Sequence, residues 1–196
     1  MLVRSMFVVL SIFIASPSAG AQHGASPPPS RTAPAQASEF NFLVGQWELV
    51  VKPAPSGLAQ RVHGVPKLVG VWKAWRALDG WGIEDDLRVT DASGNPVGFS
   101  HAVRFYDASS KSWKMSTLDV HRGVFTPGTG QWRDGQMVTA SRGTDGDGKQ
   151  YLSRSRYSGI RRDAFRFVQE RSLDNGKTWK ENLTIEAKRV AATASR

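Results

Sequence analysis

Residues 40–49 of this chain read FNFLVGQWEL, and they form its most specific stretch. Aromatic and aliphatic side chains lead to Gly45, and Trp47 follows two residues later. From Gln46 onward polar and apolar residues mostly alternate, which predicts a first β-strand over about residues 46–52. The sequence on either side of this strand indicates the fold class of the domain that begins with it.

Downstream, the chain is a series of short alternating segments separated by turn residues, with no convincing long amphipathic helix between residues 39 and 190. Asp-Gly and Asn-Gly pairs, as at residues 79–80, 134–135 and 175–176, tolerate the positive φ that tight hairpins need. The candidate strands are residues 46–52, 68–78, 81–90, 96–106, 111–120, 122–126, 130–134, 136–142, 149–158, 164–173 and 178–189. This cadence indicates an all-β protein, either an up-and-down barrel or a sandwich.

The stretch at 40–49 resembles the start of calycin barrels, the superfamily of lipocalins and fatty-acid-binding proteins. In those barrels a short 3₁₀ turn precedes a G-x-W on the first strand. The resemblance implies a closed antiparallel up-and-down β-barrel over residues 39–190, in which Gly45 allows close packing and Trp47 plugs the closed end. A basic residue near the last strand lies across that tryptophan in lipocalins, and Arg171 and Arg189 are the candidates here.

Other pieces are similar to an uncharacterised bacterial lipocalin-like domain family, which implies a fold and no activity. The matching pieces are WRALDG at 75–80, RFYD at 104–107, KSW at 111–113, LD at 118–119 and DNGKTW at 174–179. The haem-binding barrels of the nitrobindin type are a more distant likeness, and they carry the iron-ligating histidine near the C-terminus. The last histidine of this chain is His121, which counts against haem. No cofactor is expected.

The N-terminus has the order of a secretory signal. Arg4 supplies the positive start, residues 6–15 the apolar core, and Ala19 and Ala21 the small residues of a cleavage site. We therefore expect a signal peptide over residues 1–21 and a periplasmic or secreted protein. The apolar core is about half of the roughly 20 residues that cross a membrane, so no integral membrane segment is expected after cleavage.

Two further segments have compositions typical of disorder. Residues 22–38 are rich in Pro, Ala and Ser and hold no aromatic or branched aliphatic side chain, which predicts a disordered leader. Residues 191–196 are expected to be a frayed tail. The oligomeric state is left open by the sequence.

The chain is basic, with 26 Lys+Arg against 17 Asp+Glu and a formal charge of +9. These charges are scattered, apart from a small cluster within residues 154–162, and no nucleic-acid recognition helix is visible. We expect a solvated basic surface and no nucleic-acid partner, although anionic headgroups, cell-wall polymers or an acidic ligand are alternatives. The chain has no cysteine, which excludes disulfides, thiol catalysis and Cys-ligated zinc.

The apolar parity of each strand predicts which side chains face the interior of a barrel. Polar residues interrupt these predicted interior faces: Asp85, His101, Thr117, Asp119, Gln169, Arg171 and Glu181. An apolar cavity with a few convergent polar groups is typical of a small-molecule site, so these residues are the candidate ligand-binding set. A structural network that closes one end, or a parity error at a bulge, are the alternatives.

Two functions remain open from this pattern. We favour an exported carrier or sensor that binds an apolar or amphipathic small molecule. The alternative is a cofactor-independent isomerase, lyase or hydrolase, in which Asp119, His121 and His101 are the candidates for a general base. Neither a nucleophile motif nor a metal-ligand motif is present, which favours binding over catalysis.

The carboxylates on the predicted interior faces also need a positively charged partner. Two carboxylates inside an apolar barrel would raise each other's pKa unless a positive group stood between them. Arg171 is the one Arg or Lys on the predicted interior faces. We therefore expect Asp85, His101, Asp119 and Arg171 to share one interior, with Arg171 neutralising at least one carboxylate.

Two short motifs resemble functional sites but are interpreted as turns. Residues 145–149 read DGDGK and begin like a calcium loop, but Lys149 stands where an oxygen ligand belongs and the twelfth position lacks Glu. No metal site is therefore expected. Residues 172–179 read SLDNGKTW and match the S-x-D-x-G-x-x-W pattern of the Asp-box; a single copy predicts a folded hairpin turn.

Overall fold

Burial alternates along the strands, and this alternation gives the sheet one apolar face. The computed structural model describes residues 32–55 and 58–191 of the chain. In the first strand Trp47, Leu49 and Val51 are buried, while the residues between them are exposed. A sheet with one apolar face buries that face when it closes on itself.

Ten strands follow one another in the described residues. Their bounds are β1 Gly45–Pro53, β2 Leu68–Ala77, β3 Gly82–Asp91, β4 Pro96–Asp107, β5 Ser112–Asp119, β6 Val124–Arg133, β7 Gln136–Thr144, β8 Gln150–Ser158, β9 Ala164–Ser172 and β10 Lys180–Arg189. The chain also forms 3₁₀ helices at Ala35–Ser38, Asn41–Leu43 and Leu78–Gly80, and a short helix α1 at Leu58–His63. No helix in these described ranges has the length and apolar character needed to span a membrane.

Each strand pairs antiparallel with its neighbours in sequence, and β1 also pairs with β10, so the sheet is a closed up-and-down barrel. The closing pair places Trp47 opposite Arg189. The predicted fold is therefore confirmed, and the sandwich alternative is excluded. The prediction of separate strands at 122–126 and 130–134 is wrong, because residues 124–133 form the single strand β6.

One end of the barrel is plugged by the segment that leads into β1. Trp47 is fully buried, and its indole N–H donates to the carbonyl oxygen of Leu43 at 2.7 Å. The guanidinium of Arg189 lies 4.0 Å from the centre of the Trp47 ring and donates to the carbonyl oxygens of Val44 and Phe42. Of the two basic residues that were candidates to lie across Trp47, Arg189 is therefore the one that does.

Gly45 is required at this plug for two reasons. Its φ of +124° is in the region that favours glycine, and a Cβ there would collide with the guanidinium of Arg189. The short 3₁₀ turn expected before the strand is Asn41–Leu43, and Phe40 and Leu43 are fully buried against the plug. The local motif therefore determines how the chain enters the barrel.

The folded part begins before residue 39, so the expected boundary of the leader at residue 38 is wrong. Ala35–Ser38 form a 3₁₀ helix, Ala37 is buried in the core, and Ala33 packs against it. Alanine side chains are small enough to fit against the barrel even though this segment has no large apolar residue. The predicted signal peptide, residues 22–31 of the leader and residues 192–196 of the tail lie outside the described residues.

The Asp-box sequence forms the tight turn between β9 and β10, as predicted. Asp174 accepts hydrogen bonds from the backbone N–H and the hydroxyl of Thr178 at 2.9 and 2.6 Å, and from the hydroxyl of Ser172 at 2.7 Å. The indole N–H of Trp179 donates to the carbonyl oxygen of Gly176. In the DGDGK turn, Asp145 likewise accepts from the backbone N–H groups of Asp147 and Lys149.

Candidate functional site

The barrel encloses a cavity of about 600 Å³. It lies between the plugged end and the opposite end of the barrel, which we call the mouth. The mouth is formed where β3, β5, β7 and β9 end and β4, β6, β8 and β10 begin. Lining residues such as Val97, His121 and Tyr151 belong to this end, so the cavity reaches the mouth.

The cavity is lined by two different kinds of surface. Seven small hydroxyl side chains come from the arc β4–β8, and we call them the hydroxyl wall: Ser100, Thr117, Thr126, Thr139, Ser141, Ser153 and Ser155. Six large apolar side chains come from β2, β3, β9 and β10, and we call them the apolar wall: Trp72, Leu87, Val89, Phe167, Leu183 and Ile185. The same arc also contributes apolar lining residues, namely Val97, Phe99, Met115 and Val124.

A buried ion pair lies on the plugged side of the cavity. The guanidinium of Arg104 contacts the carboxylate of Asp85 through Nη1 and Oδ2, and the two side chains are 7% and 3% exposed. The other oxygen of Asp85 accepts a hydrogen bond from the indole N–H of Trp72 at 2.7 Å. Arg104 also lies 5.4 Å from the centre of the Phe40 ring, which joins this pair to the plug.

Tyr157 completes this buried group. Burial lowers the pKa of the Arg104 guanidinium, and the charge and hydrogen-bond interactions with Tyr157 oppose that shift. Burial raises the pKa of the Tyr157 hydroxyl, against the opposing effect of Arg104. At neutral pH the phenol is therefore neutral and the guanidinium charged, since arginine does not lose its proton in proteins.

His101 does not face the cavity, so its predicted interior placement is wrong. The β3–β4 register pairs Asp85 with Ala102, and this puts Ala102 and Arg104 inside and His101 outside. There the Nδ1 atom of His101 lies 2.9 Å from Oδ1 of Asp86. The expected interior of Asp85, His101, Asp119 and Arg171 therefore lacks its histidine.

The error on β4 has a physical cause. Phe99, Val103 and Phe105 share the parity of His101 and make that face look like the core face. Phe105 is in fact 42% exposed, and Phe99 lies under the guanidinium of Arg88 at 4.0 Å. The inward face carries Arg104, whose polar head is neutralised inside the barrel.

Glu181 is also misplaced by the sequence prediction. The pairing of β9 with β10 shifts between Glu181 and Leu183, so the alternation seen farther along β10 does not extend to Glu181. Its side chain is exposed and accepts a hydrogen bond from the hydroxyl of Thr184 at 3.1 Å. This is the bulge-induced parity error that the sequence analysis left open.

The other predicted residues do line the cavity: Asp85, Thr117, Asp119, Gln169 and Arg171, with the catalytic candidate His121 at the mouth. Asp119 accepts the backbone N–H of Arg122 at 3.2 Å, and Gln169 accepts from the side-chain amide of Asn182 at 2.8 Å. Their role in binding a ligand stays a prediction. The proposed base of Asp119, His121 and His101 is not assembled, because His101 is on the outer surface.

The expectation that Arg171 neutralises an interior carboxylate is wrong. Arg104 has that role toward Asp85, while no carboxylate in the described residues lies within 4.0 Å of the charged nitrogens of Arg171. The guanidinium of Arg171 instead lies 4.3 Å from the centre of the Tyr151 ring. Its Nε is buried and has no hydrogen-bond partner in the described part of the chain.

Several cavity residues were missed by the sequence analysis. Besides Arg104, they include Tyr151, Ser153, Ser155 and Tyr157 on β8, where the last three alternate with two exposed arginines. The run YLSRSRY at 151–157 carried a usable signal, since its arginines mark the outer face of a strand. Among the described residues, no group of three or more His, Asp or Glu side chains is arranged to hold a metal ion.

Comparison with known proteins supports the fold. No protein-family model matches the chain, and no curated protein matches it. The solved structure of the S-type phycobiliprotein lyase CPES from Guillardia theta is similar, with a TM-score of 0.54 and 12% sequence identity. The likeness covers 80% of this chain and 93% of that chain. At this identity it establishes a shared lipocalin-like β-barrel architecture and nothing about the reaction.

Proposed function

We propose that this protein binds a small amphipathic molecule inside its barrel, as a carrier or sensor. The observation that carries the proposal is the cavity of about 600 Å³ with its apolar wall and its hydroxyl wall. Small-molecule sites in proteins have volumes of about 300–1,000 Å³ and combine apolar lining with a few placed polar groups. A barrel whose interior is filled by side chains has no room for such a ligand.

The two walls define the kind of ligand. Apolar surface buried against residues such as Phe167 and Ile185 contributes about 25 cal/mol per Å². Hydroxyl groups such as those of Thr139 and Ser155 can donate or accept, so they suit a molecule with polar atoms along one edge. A purely apolar ligand would leave these hydroxyls without the hydrogen bonds they make to water.

Catalysis is the second candidate function, and it retains one supporting observation. Asp119 and His121 both line the cavity near its mouth. However, the carboxylate of Asp119 accepts the backbone N–H of Arg122, and His101 cannot contribute from the outer surface. A turnover assay on every ligand that binds separates the functions: activity lost in Asp119→Asn or His121→Ala, with affinity retained, would favour an enzyme.

We also propose that the protein works outside the cytoplasm, in the periplasm or as a secreted protein. The support is the charged, apolar and small-residue order of residues 1–21. Nothing in that proposal depends on the cavity, so export and ligand binding can be tested independently.

The binding proposal is tested by filling the cavity from one strand. Thr126 lines the cavity, whereas Thr129 on the same strand is exposed. We expect Thr126→Trp to lower the affinity for bound amphipaths at least about tenfold, while the matched control Thr129→Trp retains it. Native mass spectrometry and thermal-shift assays would use medium-chain fatty acids, naphthyl carboxylates and a linear tetrapyrrole, the last suggested by the lyase neighbour. Equal effects of the two variants, or no binding to the parent protein, would contradict the proposal.

A further inference from the structure

Of the arginines that line the cavity in the described residues, Arg171 is the one with neither an ion-pair partner nor a hydrogen-bond partner. It lines the cavity, its Nε is buried, and that nitrogen has no hydrogen-bond partner in the described residues. A buried donor without a partner destabilises the folded protein, and more so when the group is charged. Such a group indicates a binding position for an acceptor that arrives with a ligand.

The other two arginines that line the cavity are already engaged. Arg104 forms its ion pair with Asp85. Arg122 donates through Nη2 to the carbonyl oxygens of Thr144 and Asp145 at 3.0 and 2.9 Å. Arg171 therefore differs from both in being unpaired, and this difference is visible only once the side chains are placed.

Tyr151 holds the guanidinium of Arg171 in a defined orientation. The 4.3 Å distance between the guanidinium carbon and the ring centre corresponds to a cation–π contact. A guanidinium held over an aromatic ring keeps the N–H groups at its edge available, and two parallel N–H groups match the two oxygens of a carboxylate. Arg171 is near the end of β9, on the mouth side of Phe167.

We propose that Arg171 binds the carboxylate of an amphipathic ligand, and that the apolar part of this ligand extends toward the plugged end along the apolar wall. This inference rests on the proposed binding function and specifies its ligand class. The cation lies toward the mouth, and Phe167, Leu183 and Ile185 continue inward from it. A carboxylate near the mouth also keeps part of its hydration, which lowers the cost of binding a charge.

The experiment compares matched ligands that differ in the carboxylate alone. Dodecanoate is compared with dodecanol, and 2-naphthylacetate with 2-naphthylethanol, by isothermal titration or competition against a fluorescent probe. We expect Arg171→Met to weaken the acids by about 10- to 100-fold and the alcohols by less than about threefold. Arg171→Lys keeps the charge without the planar fork, so its loss should be intermediate.

The matched control is Arg154→Met, which removes a guanidinium that lies 4.4 Å from the centre of the Trp179 ring on the outer surface, away from the cavity. It should leave both affinities unchanged. If Arg171→Met does not fold, as judged by circular dichroism, Arg171→Gln carries the same comparison.

The outcomes separate this inference from the function it rests on. If the alcohols bind the parent protein as tightly as the acids, or lose as much affinity in Arg171→Met, the carboxylate assignment is overturned while ligand binding stands. If neither series binds the parent protein but another amphipath does, the carboxylate assignment also fails while ligand binding stands. If no tested amphipath binds, or Thr126→Trp and Thr129→Trp weaken binding equally, the binding function itself fails.

Discussion

The side chain of Asp85 shows how one buried carboxylate is accommodated in an apolar interior. One oxygen contacts Arg104 and the other accepts the indole N–H of Trp72. Transfer of an unpaired carboxylate out of water would be far too costly, so both of these partners are needed. The pair is also a bridge between the cavity and the plug, because Arg104 lies over Phe40.

Removing Arg104 alone should therefore destabilise the barrel strongly. We expect Arg104→Met to lower the free energy of unfolding by about 3–5 kcal/mol, because it leaves Asp85 buried without its counter-ion. The double variant Asp85→Asn with Arg104→Met should lose less, since it removes the charge and keeps an acceptor for Trp72. Urea denaturation measures both, with the outer-surface variant Arg88→Met as control. A double variant less stable than Arg104→Met would contradict this account.

At Gly45 both the backbone conformation and the packing against Arg189 require a residue without a Cβ atom. We expect Gly45→Ala to destabilise the protein by about 1–3 kcal/mol from backbone strain, and further because its Cβ must displace Arg189. Gly94→Ala is the matched control, since Gly94 also has positive φ but open space around it. Thermal denaturation compares them. Equal losses would mean that the contact with Arg189 is unimportant.

Among the elements, β4 shows why an amphipathic pattern does not always identify the inner face. Both faces of this strand carry large side chains, so its sequence alone is ambiguous. Its orientation follows from the register with β3, which pairs Asp85 with Ala102, and with β5, which pairs Ala102 with Thr117. In an antiparallel sheet directly paired residues point to the same face, so Asp85 and Thr117 place Ala102 inside.

The turn between β9 and β10 has a stability that depends on pH. Hydrogen bonds from the Thr178 hydroxyl, the Thr178 backbone N–H and the Ser172 hydroxyl lower the pKa of Asp174 to about 2, below its usual value of 3.8. A lowered pKa means that the carboxylate stabilises the folded state above pH 3.8 and loses this effect as the pH falls through about 2.

We therefore expect the difference in melting temperature between the parent protein and Asp174→Asn to be constant near neutral pH and to shrink from pH 3.8 toward about 2. Hydrogen exchange of the amides of Gly176 and Thr178 should rise in the variant, because Asp174 organises this turn. A difference in melting temperature that does not vary with pH would rule out titration of Asp174 as its cause.

At the scale of the whole molecule, the proposed export rests on the N-terminal sequence and not on the barrel. We expect the mature protein to begin at Gln22, because the signal pattern ends at Ala21. N-terminal sequencing or intact mass measurement of protein from the periplasm or medium checks this. Replacing Ala19 with Arg should prevent cleavage, because signal peptidase sites need small residues. A mature soluble form that retains Met1 would contradict the prediction.

The fold and part of the cavity could be predicted because their signals are local. Alternation with a period of two and the turn pairs each act within a few residues, and they predicted an all-β protein. The resemblance carried by Gly45-x-Trp47 then implied the closed barrel. Thr117, Asp119, Gln169 and Arg171 were placed correctly in the cavity, because β5 and β9 carry their large apolar side chains on one face. For β5 and β9, the order of apolar and polar residues alone was therefore enough to identify the face that points into the cavity.

The partners of the interior charges could not be predicted, because they depend on register across strands that are far apart in sequence. Whether Arg104 or His101 faces inward depends on pairing of β4 with β3 and β5, and a bulge in β10 turns Glu181 outward. A one-residue change in register exchanges the two faces of a strand. The tertiary structure therefore assigns Arg104 to Asp85 and leaves Arg171 unpaired in the cavity, since only the closed barrel brings these side chains to their final distances.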